Sequence, residues 1–107
     1  MKKSLAAVLA LSFLVIAPAA FAGGGPDGAA IYKAKCAMCH GPDGAGQTAM
    51  GKSMKLKALG SAEVQKLTDA EMIKIITDGK NKMPAYKGKL QTGDIEAVVA
   101  FIRTLKK

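Results

Sequence analysis

The stretch KCAMCHG, Lys35 to Gly41, decides how the rest of this chain is read. It holds both cysteines and the only histidine of a 107-residue sequence. Three kinds of chemistry cluster thiols and an imidazole in this way: a disulfide or dithiol couple, a metal site, and a covalently held cofactor. The residues on either side choose among them.

Towards the N-terminus, residues 1–22 read MKKSLAAVLALSFLVIAPAAFA. Lys2 and Lys3 form a positive start, and Leu5 to Ile16 is an apolar run too short to span a bilayer comfortably. Pro18 interrupts it, and Ala20-Phe21-Ala22 fits the small-x-small cleavage rule. The expectation is a secretory signal peptide cut after Ala22, the alternative being an uncleaved anchor. Residues 23–107 then form one small domain. Loss of Lys2 and Lys3 lowers the formal charge of +8 by two. With no Trp and little aromatic content, so short a chain buries a limited core and often needs a staple or a bound group to complete it. Export permits disulfides. A Cys36–Cys39 bridge, however, would close a very short loop and remove little entropy from the unfolded chain.

The coarse pattern is all-α. Asp27 is a candidate N-cap for a first helix running to about Met38. Residues 40–61 carry glycines, Pro42 and little apolar periodicity, so they read as a long loop. Ser61 can cap a short helical turn containing Val64 and Leu67. Thr68-Asp69-Ala70-Glu71 is a capping box, and the helix it opens places Met72, Ile75 and Ile76 on a core-facing stripe. Gly79 ends that helix. Residues 80–90 form a second loop. A last helix starts near Gln91 or Thr92, with Ile95, Val98, Val99, Ile102 and Leu105 at helical spacing. The chain shows no strand signal and no repeat. The expected architecture is three to four helices and two long loops.

Within this frame Cys36-Ala37-Met38-Cys39-His40 reads as C-x-x-C-H, the attachment signature of a c-type haem. Each thiol can add to one vinyl group, and the adjacent imidazole can bind iron from one side. A thioredoxin-like dithiol would need a βαβ context that the sequence lacks. Structural zinc wants four N or S ligands, and the supply here stops at three. Cys36 and Cys39 are therefore the expected covalent haem sites, with His40 as one axial ligand.

The opposite axial position cannot be a second histidine. Methionine thioether is the next candidate, and a His/Met pair suits electron transfer. Met38 lies within the attachment pentad. Met72 shares a face with Ile75 and Ile76 and reads as core. Met83 sits in a loop immediately before Pro84, which keeps it extended and out of a helix. Met83 is the favoured ligand, with Met50 and Met54 as alternatives.

The chain resembles the class I c-type cytochromes, in particular the small soluble bacterial monohaem kind. CAMCH, GKNKMPAYKGKL around Met83, and IEAVVAFIRTL near the C-terminus carry the resemblance, which covers residues 28–107. It implies the cytochrome c fold. It also implies that Gly28 and Tyr32 on the first helix pack against Val98 and Phe101 on the last. Family members often carry a proline in the loop after the histidine, and its neighbourhood supplies a carbonyl to the imidazole N–H. Here Pro42 lies close to His40, and Ala49 stands where that proline is expected.

The function this resemblance implies is one-electron transfer in the periplasm, through one covalently bound haem c with His40 and Met83 as axial ligands. It implies no catalytic residues. The protein is expected to be a monomer without a permanent membrane anchor, and the chain without haem is expected to be largely unfolded. Lys80, Lys82, Lys87 and Lys89 flank Met83, and Lys52, Lys55 and Lys57 occupy the other loop. They read either as ordinary solvated surface or as a positive ring that steers acidic redox partners. Nucleic acid is not an expected partner, since no aromatic residues are interleaved on a basic face. Two rival functions are a haem subunit of a larger redox enzyme and a haem enzyme or sensor with an open iron site.

Overall fold

The structure, a computed structural model, describes residues 25–107. The expected signal peptide over 1–22, with its cleavage site after Ala22, lies outside the described residues. The described chain is helical, in the order α1 (Gly28–Lys35), α2 (Ala37–His40), α3 (Ala49–Ser53), α4 (Ala62–Gln65), α5 (Asp69–Asp78) and α6 (Thr92–Thr104). Among the described residues no strand forms. Two isolated bridges, Lys80 with Met83 and Lys87 with Leu90, shape the second loop.

Helix α1 starts where expected, with the Asp27 carboxylate accepting from Ala30 N–H at 3.1 Å. It ends sooner than the pattern suggested. The chain turns at Cys36, whose carbonyl accepts from both Cys39 N–H and His40 N–H, and then resumes as the single turn α2. The long loop over 40–61 also contains a helix the sequence pattern did not signal. Thr48 caps α3, its hydroxyl accepting from Gly51 N–H at 2.9 Å. Three longer helices and three single turns thus replace the expected three to four. The Ser61 cap, the Thr68–Glu71 capping box and the stop at Gly79 form as expected.

The core lies where α1 and α5 meet α6. It consists of Tyr32, Met72, Ile76, Ile95, Val98, Val99 and Ile102. Gly28 permits the closest approach: a Cβ there would fall 2.0 Å from the Ala97 carbonyl oxygen. Tyr32 stacks obliquely on Phe101, with ring centroids 4.9 Å apart. The contact of Gly28 and Tyr32 with α6 that the resemblance implied is therefore present. Helix α5 turns slightly differently from the expected stripe. Met72 and Ile76 are buried and Ile73 packs on them, while Ile75 stays half-buried outside the cluster.

Arg103 locks the far end of the molecule. Its guanidinium donates to the Gln65 and Leu67 carbonyls and to the Asp69 carboxylate. The Gln65 side-chain amide in turn donates to the Leu59 and Ile102 carbonyls. One side chain on α6 thus holds the end of α4 and the start of α5.

Candidate haem site

The attachment segment is held by its peptide carbonyls. The Thr48 hydroxyl donates to the Cys39 carbonyl at 2.6 Å while accepting from Gly51 N–H. Gly46 N–H donates to the His40 carbonyl at 2.8 Å. The Tyr32 hydroxyl, on a fully buried ring, donates to the Gly41 carbonyl at 2.7 Å. Gly41 itself has φ +83°, a conformation that glycine adopts without steric cost. Close packing reinforces these bonds. A Cβ on Gly51 would lie 2.4 Å from the Gly46 oxygen and 2.7 Å from the Cys39 oxygen.

This frame leaves three chemical groups together on one turn. Cys36 and Cys39 are unpaired thiols, both partly accessible. The His40 imidazole has a buried Nδ1 with no hydrogen-bond partner. No carbonyl near Ala49 reaches it, because Ala49 has entered α3. Burial lowers the His40 pKa, which favours the neutral imidazole that metal coordination requires.

The second loop reaches the same region. Met83 packs against the buried core and pairs with Lys80 through two backbone hydrogen bonds. Three residues on, the Tyr86 hydroxyl donates to the Lys35 carbonyl at 2.9 Å, one residue before Cys36. The alternative methionines lie on α3 and at its end. Met50 is 48% exposed and its sulfur lies 4.0 Å from Cys39 Sγ. Met54 is half-buried. A cleft of about 420 Å³, lined by Ala49, Met50, Ser53, Met54 and Lys82, separates α3 from the Met83 loop.

Known proteins resemble this chain in sequence and fold. A family profile described as cytochrome C oxidase, cbb3-type, subunit III matches residues 24–102. A cytochrome c6 from Synechococcus sp. is 36% identical, over 94% of this chain and 90% of its own length. A cytochrome c6 from Nostoc sp. is 37% identical, over 95% and 92%. Among solved structures, the KustC0563 c-type cytochrome superposes with a TM-score of 0.71 at 34% identity, over 76% of this chain and 99% of that one. The chain belongs to the class I c-type cytochromes. It is a haem c protein, and the cytochrome c6 of the diatom Phaeodactylum tricornutum shares its fold, with a TM-score of 0.56 at 33% identity.

The residues of this cytochrome fit the group its family carries. Two free thiols with two residues between them, followed directly by an imidazole whose pKa burial lowers, form a donor set of the right chemistry. Burial, with Cys39 adding to it, pushes the Cys36 thiol up to about 11. Among the described residues no cluster of three or more His, Cys, Asp or Glu is placed to hold a bare metal ion.

The sequence singled out Cys36, Cys39, His40 and Met83 as site candidates but not Thr48, Tyr86 or the supporting role of the Tyr32 hydroxyl. Thr48 had a weak signal, a hydroxyl three residues before Gly51 in an otherwise aperiodic loop. Tyr86 had none, because its partner is 51 residues away in the chain.

Proposed function

We propose that this cytochrome is a one-electron carrier in which Cys36 and Cys39 hold the haem covalently and His40 and Met83 supply the axial ligands. The observation that carries the reading is the unpaired Cys36/Cys39 thiols beside a half-buried His40, its Nδ1 buried and without a partner, on one braced turn. The bound haem supplies a reversible ferric/ferrous couple. The protein's part is to hold its own donors still. Thr48, Gly46 and Tyr32 fix the carbonyls of Cys39, His40 and Gly41, so the imidazole is set by the backbone on both sides. Met83 arrives from a separate loop already packed on the core. Met50 stays beside the Cys39 sulfur, which supports Met83 over Met50 as the ligand.

With His40 and Met83 both bound, the iron would offer no site for a substrate, as suits a carrier rather than an enzyme or sensor. The two cytochromes c6 are matched over nearly their whole length, which supports a carrier of that kind. No helix of the described residues is long and apolar enough to cross a membrane. The leader-like residues 1–22 support export to the periplasm after cleavage at Ala22.

Charge supports acidic protein partners. Residues 79–93 contain four lysines and no carboxylate. Lys52 and Lys55 face solvent nearby and are not in the ion pairs of the described residues. Most carboxylates elsewhere are engaged locally, in caps at Asp27, Glu71 and Asp94 and in ion pairs at Glu63, Asp69 and Asp78. The test of function is a spectroelectrochemical titration of the purified holoprotein, followed by carbon monoxide addition to the ferrous form. A reversible one-electron step with no carbon monoxide binding is expected. Ready carbon monoxide binding would favour an open-site enzyme or sensor.

A further inference from the structure

We propose that the Tyr86 hydroxyl is a positioning group for the axial methionine, tying the Met83 loop to the peptide carbonyl that precedes the attachment cysteines. The inference rests on the reading of Met83 as an iron ligand.

The bridge between Lys80 and Met83 fixes a local turn, but it binds the loop only to itself. Attachment to the rest of the molecule begins at the next residues. Tyr86 N–H donates to the Ile76 carbonyl and Lys87 N–H to the Thr77 carbonyl, each at 3.0 Å. Both anchors are on the last turn of α5. Towards α1, the loop's hydrogen bond among the described residues is the one from Tyr86 Oη to Lys35 O. Lys35 is the last residue of α1, where helix carbonyls lack intrahelical donors. The hydroxyl satisfies one of these and spans the gap between the two segments that supply the iron ligands.

The ring alone would not do this. Tyr86 packs against the core as a half-buried aromatic, and a phenylalanine would fill the same space. The hydroxyl adds a tether between a residue three positions after Met83 and one adjoining Cys36. Without it the loop keeps its hold on α5 and loses its hydrogen bond to α1. Its loss should therefore free Met83 locally while the helices stay folded.

The experiment compares holoprotein carrying Tyr86→Phe, Tyr32→Phe or Met83→Ala with the unsubstituted protein. Displacement of the sixth ligand from ferric iron is titrated with imidazole. Loss of the low-spin six-coordinate spectrum in guanidinium is followed beside far-ultraviolet circular dichroism. In Tyr86→Phe, imidazole should bind about fivefold more tightly, the factor expected for one hydrogen bond. The six-coordinate spectrum should also be lost at a lower denaturant concentration than the helical signal. Tyr32→Phe, which touches another carbonyl, should lower both midpoints together.

Unchanged imidazole affinity in Tyr86→Phe, with coincident transitions, would overturn the tether and leave Met83 as ligand. An unaltered six-coordinate spectrum in Met83→Ala would instead overturn the ligand assignment, and the tether with it.

Discussion

The Tyr32 hydroxyl reaches the Gly41 carbonyl at 2.7 Å from a fully buried ring, joining the middle of α1 to the residue after His40. Burial pushes its pKa up to about 12, with the neighbouring Cys36 and Asp43 adding smaller contributions, so at neutral pH it is a protonated donor. The same ring stacks on Phe101. One residue thus serves both the helix crossing and the site, and the two roles separate by mutation. Tyr32→Phe keeps the stacking and removes one hydrogen bond. Gly41 retains a bond from Gly44 N–H. Denaturant unfolding of the holoprotein should show a loss of about 1 kcal/mol. Tyr32→Ala should lose about 3–5 kcal/mol through the emptied core. Equal losses for both would show that the hydroxyl, and not the ring, dominates.

The α1–α6 crossing gives a second prediction, from two glycines. A Cβ at Gly28 meets the Ala97 carbonyl oxygen at 2.0 Å, a backbone atom that can yield only if the helices part. Gly28→Ala should therefore destabilise by about 1–3 kcal/mol, the range for overpacking a tight contact. Gly93 lies in the first turn of α6, where the nearest atom to an added Cβ is Pro26 Cγ at 3.9 Å. Gly93→Ala should stabilise by about 0.5 kcal/mol through reduced freedom of the unfolded chain. Thermal melting of the two variants should move in opposite directions.

Much of this was legible in the sequence because local chemistry set it. The Thr68–Glu71 capping box and the Asp27 cap are short-range patterns, and both formed. The CAMCH pentad declared its chemistry by residue type and spacing. Gly28 and Tyr32 were readable only through family resemblance, since nothing in their own neighbourhood reveals α6. Helix α3 was missed because Ala49–Ser53 has no apolar stripe; it is held by the two-way hydroxyl of Thr48. Ile75 was assigned to the core on spacing alone, but Met72 and Ile76 fill the space against α6. The carbonyl clamps of Thr48, Tyr32 and Tyr86 were not legible, because a hydroxyl bonded to a distant peptide group leaves no periodic trace.

Arg103 supplies a third prediction. Its planar guanidinium serves two carbonyls and one carboxylate at fixed angles, which an ammonium cannot reproduce. Arg103→Lys keeps the charge but should cost about 1–3 kcal/mol in denaturant unfolding, since at least one carbonyl loses its donor. The contribution should depend little on salt, because most of it is hydrogen bonding to peptide groups rather than an exposed ion pair. Full stability in Arg103→Lys would reduce the clamp to a surface charge interaction.

The lysines around Met83 give a fourth. If they steer acidic partners, second-order electron-transfer rates with an acidic redox protein should fall steeply between low and moderate ionic strength. Charge reversal at Lys82, which lines the cleft between α3 and the loop, should lower the low-salt rate about tenfold and flatten the salt dependence. Stopped-flow kinetics would measure both. Rates indifferent to salt in the unsubstituted protein would mark the lysines as ordinary solvated surface.

The most direct measurement is the intact mass of exported, matured protein under denaturing conditions, which strip any non-covalent cofactor. A chain starting at Gly23 and retaining one haem is expected, and it should be lost when Cys36 and Cys39 are both replaced by alanine. A polypeptide mass without haem, from material matured in a host competent for haem attachment, would contradict the assignment of these thiols and the function built on them.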